Sequence, residues 1–337
     1  MQRTPNQLPA NLLKNVSRSF YLTLRVLPGQ IRTQIGLAYL LARTTDTIAD
    51  TELLPLEQRL LALQALRERI LGSGKAPLDF VELARQQGSP AERILLEQIE
   101  ASLALLENLT EADRQLIREV LTTITSGQEL DLRRFAGASL TNVIALRSDE
   151  ELEDYTYRVA GCVGEFWTKM CRAHLFPQAP LDDKWLLENG VRFGKGLQLV
   201  NILRDLPADT RQGRCYLPGE QLSLVGLQPR DLLEPHNETR LRVLYDGYLD
   251  RAEKHLLAGW AYTNALPRRS VRVRLACAWP VLIGLETVKC LRASKVLDPR
   301  QRIKVSRGKV RKLMWRSVIR YPWQRAWKAI ASPGILP

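Results

Sequence analysis

Features that would mark a disulfide-bonded, zinc-binding or membrane-spanning protein are scarce in this sequence. Its five cysteines, Cys162, Cys171, Cys215, Cys277 and Cys290, are odd in number and include no CxxC pair, so neither a disulfide framework nor a zinc site is expected. The three histidines, His174, His236 and His255, have no ligand spacing with one another. No apolar run reaches the roughly 18 residues that a spanning helix requires. The opening MQRTPNQLPANLLKN has no apolar core of the secretory kind. Reduced thiols and a cytoplasmic address are therefore expected. A dinucleotide fingerprint is missing too: Gly190, Gly194 and Gly196 lie in a helical context with the wrong spacing.

Strand patterns are almost absent. Apolar residues three and four apart recur from end to end, among Leu, Ala, Arg and Glu, which all favour helix. An all-α fold follows, and 337 residues suffice for a large core. Helices are expected from about Ser17 to Asp50 with a break at Pro28-Gly29, from Pro55 to Gly72, from Pro90 to Asn108 and from Thr110 to Phe135. Further ones should cover about Asp149 to Phe176, Leu181 to Arg204, Glu238 to Ala265 and Arg268 to Leu291. No repeat or linker divides them, so one bundle over residues 1–300 is the simplest arrangement, with 301–337 as a tail.

The stretch NILRDLPADTRQGRCYLP, residues 201–218, carries the strongest chemical signal. Asn201, Asp205 and Asp209 fall four apart, so on a helix they share one side and offer hard oxygen ligands. Arg204, Arg211 and Arg214 in the same stretch suit an oxyanion. A second pair, Asp46 and Asp50, follows Arg43 upstream in LLARTTDTIAD. Two such faces looking at each other would hold a diphosphate on magnesium ions. Pro207 is expected to end or kink the helix, which makes Asp209 the weakest ligand of the set. A third pair, Asp246 and Asp250, lacks an arginine cluster and reads as a solvated face. Gly161 and Gly164, inside a helical pattern, mean that something approaches the backbone closely: a neighbouring helix or an apolar ligand.

These pieces together resemble the squalene and phytoene synthase family of head-to-head prenyl transferases. The likeness rests on SRSF (17–20), AYLLARTTDTIAD (38–50), YTYRVAGCVG (155–164) and LVNILRDLPADTRQGRCYLP (199–218), in that order. It implies a single-domain class I isoprenoid synthase bundle with a central cavity. By motif position Asp46, Asp50, Asn201, Asp205 and Asp209 would bind magnesium. Ser17, Arg18, Ser19, Arg43, Arg204 and Arg214 would contact diphosphate, Tyr39 would close over it, and Tyr155 would assist the first half-reaction. Phe20, Val159, Ala160, Gly161 and Gln198 would line the prenyl tunnel, which favours ligand approach at the glycines. Aromatic faces of Phe20, Tyr39, Phe166 and Trp279 would stabilise an allylic cation. Ala49 and Ala208 stand where the family often has a further acid, so fewer carboxylates face the metal.

Within the family the sequence is most like a bacterial squalene synthase acting on farnesyl diphosphate. RIKVSRGKV (302–310) resembles the basic stretch near the reductive half-site, where Lys304, Ser306 and Arg307 would contact NADPH phosphates, and ACAWP (276–280) resembles the lining of the second half-cavity. The alternatives are a presqualene diphosphate, dehydrosqualene or phytoene synthase without reduction. From another class, the rival is a non-catalytic helical protein docking on membrane or RNA.

Charge distribution bears on that rival. The net charge of +13 is concentrated in residues 268–337, with 18 Lys and Arg against Glu286 and Asp298; the first 267 residues are slightly acidic. Trp315, Trp323 and Trp327 lie among these cations in two short helices interrupted by Pro322. That composition suits a membrane surface, and no motif supports nucleic acid.

Overall fold

The computed structural model describes residues 10–16, 20–51, 53–298, 300, 301 and 303–331. Among them the chain is almost wholly helical, as its periodicity predicts, and its contacts group into two compact units. One comprises residues 1–136 and 166–177, the other 137–165 and 178–337.

The first unit holds α1 (Ala10–Val16), α2 (Phe20–Val26), α3 (Gly29–Ala49), α4 (Leu56–Leu71), α5 (Val81–Arg85), α6 (Pro90–Glu97), α7 (Ile99–Glu107) and α8 (Glu111–Arg134). Pro28 and Pro55 sit at the N-caps of α3 and α4, where a missing N–H costs nothing. Gly72, at φ 81°, closes α4 in the left-handed conformation. Thr110 caps α8 by accepting the Asp113 N–H at 3.2 Å. The core forms where α3 packs on α4, α7 and α8, burying Leu40, Leu41, Ile48, Leu63, Leu66, Ile117 and Leu121.

The second unit begins with strand β1 (Ile144–Ala145) and α9 (Asp149–Thr156), followed by a π-helical turn over Tyr157–Gly161. Helix α10 (Cys162–His174) starts in this unit and contributes its later residues to the first. Then come α11 (Asp183–Arg211), strand β2 (Arg214–Cys215), α12 (Gly219–Leu224), α13 (Glu238–Ala265), α14 (Val271–Arg292), α15 (Arg307–Arg320) and α16 (Gln324–Lys328). Helix α11 is central, packed on α13, α14 and the π-turn.

Two sequence expectations are corrected here. Helix α11 does not end at Pro207 but runs through it to Arg211. Proline at 207 removes the N–H that would have reached the Leu203 carbonyl, and that carbonyl instead accepts the Tyr245 hydroxyl of α13 at 2.8 Å. The close approach at Gly164 is by a helix rather than a ligand: a Cβ there would lie 1.9 Å from the Gly190 carbonyl oxygen of α11. At Gly194, likewise, a Cβ would meet the Ala160 oxygen at 2.1 Å.

Candidate active site

In the first unit, α3 carries Tyr39, Arg43, Asp46 and Asp50 at helical spacing, with Asp50 at its C-cap. Arg43 lies 3.6 Å from the Asp46 carboxylate and donates to Glu92 of α6 at 2.5 Å. Burial opposes the Arg43 charge, yet Asp46 and Glu92 hold its guanidinium above the usual range. Gln128 of α8 donates to the other Asp46 oxygen. Although the Asp46 side chain is 45% open to solvent, crowding by protein atoms pushes its carboxyl up to about 6; Arg43 and Gln128 oppose the rise and Asp50 adds to it. Desolvation here outweighs the guanidinium 3.6 Å away. The Tyr39 hydroxyl donates to the Val16 carbonyl at 3.3 Å. Phe166 is buried in this unit.

Ser17, Arg18 and Ser19 lie outside the described residues, as does the side chain of Phe20.

In the second unit, the uninterrupted α11 keeps Gln198, Asn201, Arg204, Asp205 and Asp209 on one helix, so Asp209 shares a side with Asn201 and Asp205 after all. Arg204 forks onto its neighbour Asp205, Nε to Oδ1 at 2.8 Å and Nη2 to Oδ2 at 2.5 Å. That contact raises the guanidinium above its ordinary range. Asn201 is exposed and its Nδ2 reaches Gln198 Oε1 at 3.5 Å. Gly213, at φ 84°, turns the chain where a Cβ would lie 2.2 Å from the Ser139 nitrogen. The turn delivers Arg214 to β2, which pairs in parallel with β1.

Tyr155 of α9 is buried and stacks on Tyr216, centroids 4.7 Å apart and planes at 26°. Val159 and Ala160 are half-buried within the π-turn, a distortion frequent at functional sites. Lys304, Ser306 and Arg307 are exposed at the start of α15, where Ser306 Oγ caps the helix by accepting the Lys309 N–H at 3.2 Å. Trp279 donates from Nε1 to Ser317 Oγ at 3.0 Å. The third acidic pair is not a bare solvated face: Asp246 lies 3.4 Å from Arg242, and Asp250 accepts from Arg292 at 2.6 Å. Their charge is already compensated.

Sequence reading missed Glu92, Gln128 and Tyr216. None is in a DxxxD spacing; Gln128 is a polar residue on the apolar side of an amphipathic helix, and Tyr216 lies within the 201–218 stretch without belonging to its acidic or basic set.

Hard oxygen ligands suit magnesium better than a transition metal. Among the described residues no three His, Cys, Asp or Glu side chains converge into a self-sufficient metal site. Each face brings a carboxylate pair, which fits a cation that keeps water and substrate oxygens in its shell.

The squalene/phytoene synthase family pattern matches residues 13–309. A presqualene diphosphate synthase of Rhodopseudomonas palustris is 30% identical over 75% of this chain and 77% of its own length. A bifunctional lycopene cyclase/phytoene synthase of Colletotrichum graminicola is 32% identical over 68% of this chain but only 37% of its own. The chain thus spans well under half the length of that fungal relative. Among solved structures, TcSQS in complex with a ligand superposes with a TM-score of 0.76 at 21% identity, covering 97% of this chain and 92% of that one. Squalene synthase HpnC of Alicyclobacillus acidocaldarius gives 0.60 at 20% identity, covering 85% and 92%. These likenesses agree with the all-helical fold.

Proposed function

We propose, for a chain that belongs to the squalene/phytoene synthase family, that it joins two farnesyl diphosphates head to head to give presqualene diphosphate. Head-to-head joining of isoprenoid diphosphates is the family's reaction; the substrate and the stopping point are our reading. It is supported by the likeness to the presqualene diphosphate synthase over three quarters of both chains. The observation that carries it is the pair of arginine-flanked acidic faces on α3 and α11.

Asp46 and Asp50 would hold magnesium on α3, and Asn201, Asp205 and Asp209 would hold it on α11. Bound there, magnesium supplies neutralisation of charge on phosphate oxygens. Arg43, Arg204 and Arg214 add donors for a departing diphosphate, a preorganised field that needs no rearrangement as charge develops. Arg204 is already planar against Asp205 and can exchange that partner for phosphate or share it. Tyr155, buried against Tyr216, offers a phenol oxygen as proton acceptor or donor in a setting that excludes water.

A second reading continues to squalene by reduction with NADPH. Exposed Lys304 and Arg307, at the N-terminal end of α15, favour it, because cationic side chains and the positive end of a helix dipole both attract phosphate.

Incubation with farnesyl diphosphate or with geranylgeranyl diphosphate, in the presence of magnesium and with and without NADPH, followed by extraction, tests both. Presqualene diphosphate in either condition is expected. Squalene appearing only with NADPH selects the second reading; phytoene from geranylgeranyl diphosphate alone, or no release of diphosphate, overturns both.

A further inference from the structure

The basic carboxy-terminal segment is divided between an inner and an outer face. Inside, Leu313 and Ser317 of α15 are buried, the Lys309 ammonium donates to the buried Glu286 carboxylate of α14, and Ser317 accepts from Trp279. Further along, Trp327 is only 1% exposed. It stacks near Trp260 with centroids 5.1 Å apart, meets Tyr321 edge-on and donates to Asn264 at 2.8 Å. The Arg274 guanidinium lies over both the Tyr321 and Trp327 rings. Of the three tryptophans grouped by the sequence, Trp327 is thus a clamp that holds the segment on its own unit.

The other two point outward. Trp315 is 67% exposed, Ile319 60% and Trp323 62%. On α15, Trp315 and Ile319 lie four residues apart and on the side opposite the buried Leu313–Ser317 line. Arg311 on one side and Lys312 and Arg316 on the other flank them. The whole stretch 301–331 contains ten Lys and Arg and no Asp or Glu. Arg316 is lowered from its ordinary range by burial and by the like charge of Arg320, so the cations are crowded.

We propose that this outer face of α15, extended by Trp323, docks on an anionic lipid surface. Indole rings with a branched aliphatic residue between rows of cations match the headgroup boundary, where rings enter the acyl edge and Lys and Arg meet phosphate. A second copy of the chain is disfavoured because it would set one cationic face against another. The docking is interfacial: no described helix is long and apolar enough to cross a membrane. It does not depend on which isoprenoid product is formed.

The test uses the full chain, sedimented with phosphatidylcholine vesicles and with vesicles enriched in phosphatidylglycerol, at low and high salt. Binding to the anionic vesicles only, weakened by salt, is expected. Trp315→Ser with Ile319→Ser should lower the partition coefficient about tenfold, and Arg311→Glu with Lys312→Glu by at least about tenfold with a flatter salt dependence. All these side chains are exposed, so melting temperatures should stay within a degree or two of wild type. In unsubstituted protein, brominated lipid should quench tryptophan fluorescence, giving a readout independent of the variants. Equal sedimentation of wild type and both variants, no quenching, conversion of a dimer to monomer by the Trp315 and Ile319 changes, or retention on RNA but not on vesicles would each overturn the proposal.

Discussion

The acidic faces of α3 and α11 share a DxxxD spacing, yet their carboxylates are held in opposite ways. On α3, crowding by protein atoms weakens the acidity of Asp46 to about 6, with Asp50 adding to the rise, although Arg43 at 3.6 Å and the Gln128 amide both oppose it. On α11, Asp205 is gripped by both arms of the adjacent Arg204. Asp46 meets its arginine at one long contact, whereas Asp205 is forked by its own. Under the proposed metal roles, Asp46 would gain more from a divalent cation, while cation binding at Asp205 would be coupled to the release of Arg204 towards phosphate.

Removing the charge on either face should have the largest effect. Asp46→Asn and Asp205→Asn are each expected to lower turnover of farnesyl diphosphate by about 10²–10³-fold, with circular dichroism unchanged. Near-normal activity of either variant would falsify the metal assignment. Arg204→Lys keeps the charge but loses the fork, and a loss of about tenfold in kcat/KM is expected at that position. A similar loss from Arg43→Lys, whose contact to Asp46 is not bidentate, would remove the contrast.

Two stability measurements probe the scaffolds. Gly164→Ala places a methyl on the Gly190 backbone and should cost about 3 kcal/mol or more by denaturant unfolding. Tyr245→Phe leaves the Leu203 carbonyl without its donor and should cost about 1–3 kcal/mol, a loss that Pro207→Ala in the same chain largely restores by returning the helical N–H. Absence of that rescue breaks the account of how α11 passes its proline.

The subtlest effect is on pH. Because the folded Asp46 carboxyl is raised above its unfolded value of about 3.9, its contribution to stability is fully present below about pH 4 and lost as pH rises through about 6. Metal-free wild type should therefore lose stability over that window relative to Asp46→Asn. Magnesium should restore it at neutral pH in wild type and not in the variant.

Much of this was legible beforehand because it depends on near neighbours in the chain. Pro28, Pro55, Gly72 and Thr110 mark helix ends through their own backbone preferences, and spacing of four puts Asp46 with Asp50 and Asp205 with Asp209 on common sides. What could not be read depends on residues distant in sequence. Gln128 lies 82 positions from Asp46, and Tyr245 lies 42 from Leu203. The ambiguity at Gly164 ended only when Gly190 was seen against it, and Trp327 parted from Trp315 and Trp323 because Trp260 and Arg274 were there to cover it.

Helical class, the acidic spacings and the cationic end of the chain followed from the amino-acid order alone, since periodicity, turn chemistry and charge are local properties. Which carboxylate is desolvated, how a helix survives an internal proline and which tryptophans face outward were decided by the tertiary structure. Those outcomes depend on desolvation and on hydrogen-bond partners, and only packing brings such partners within reach.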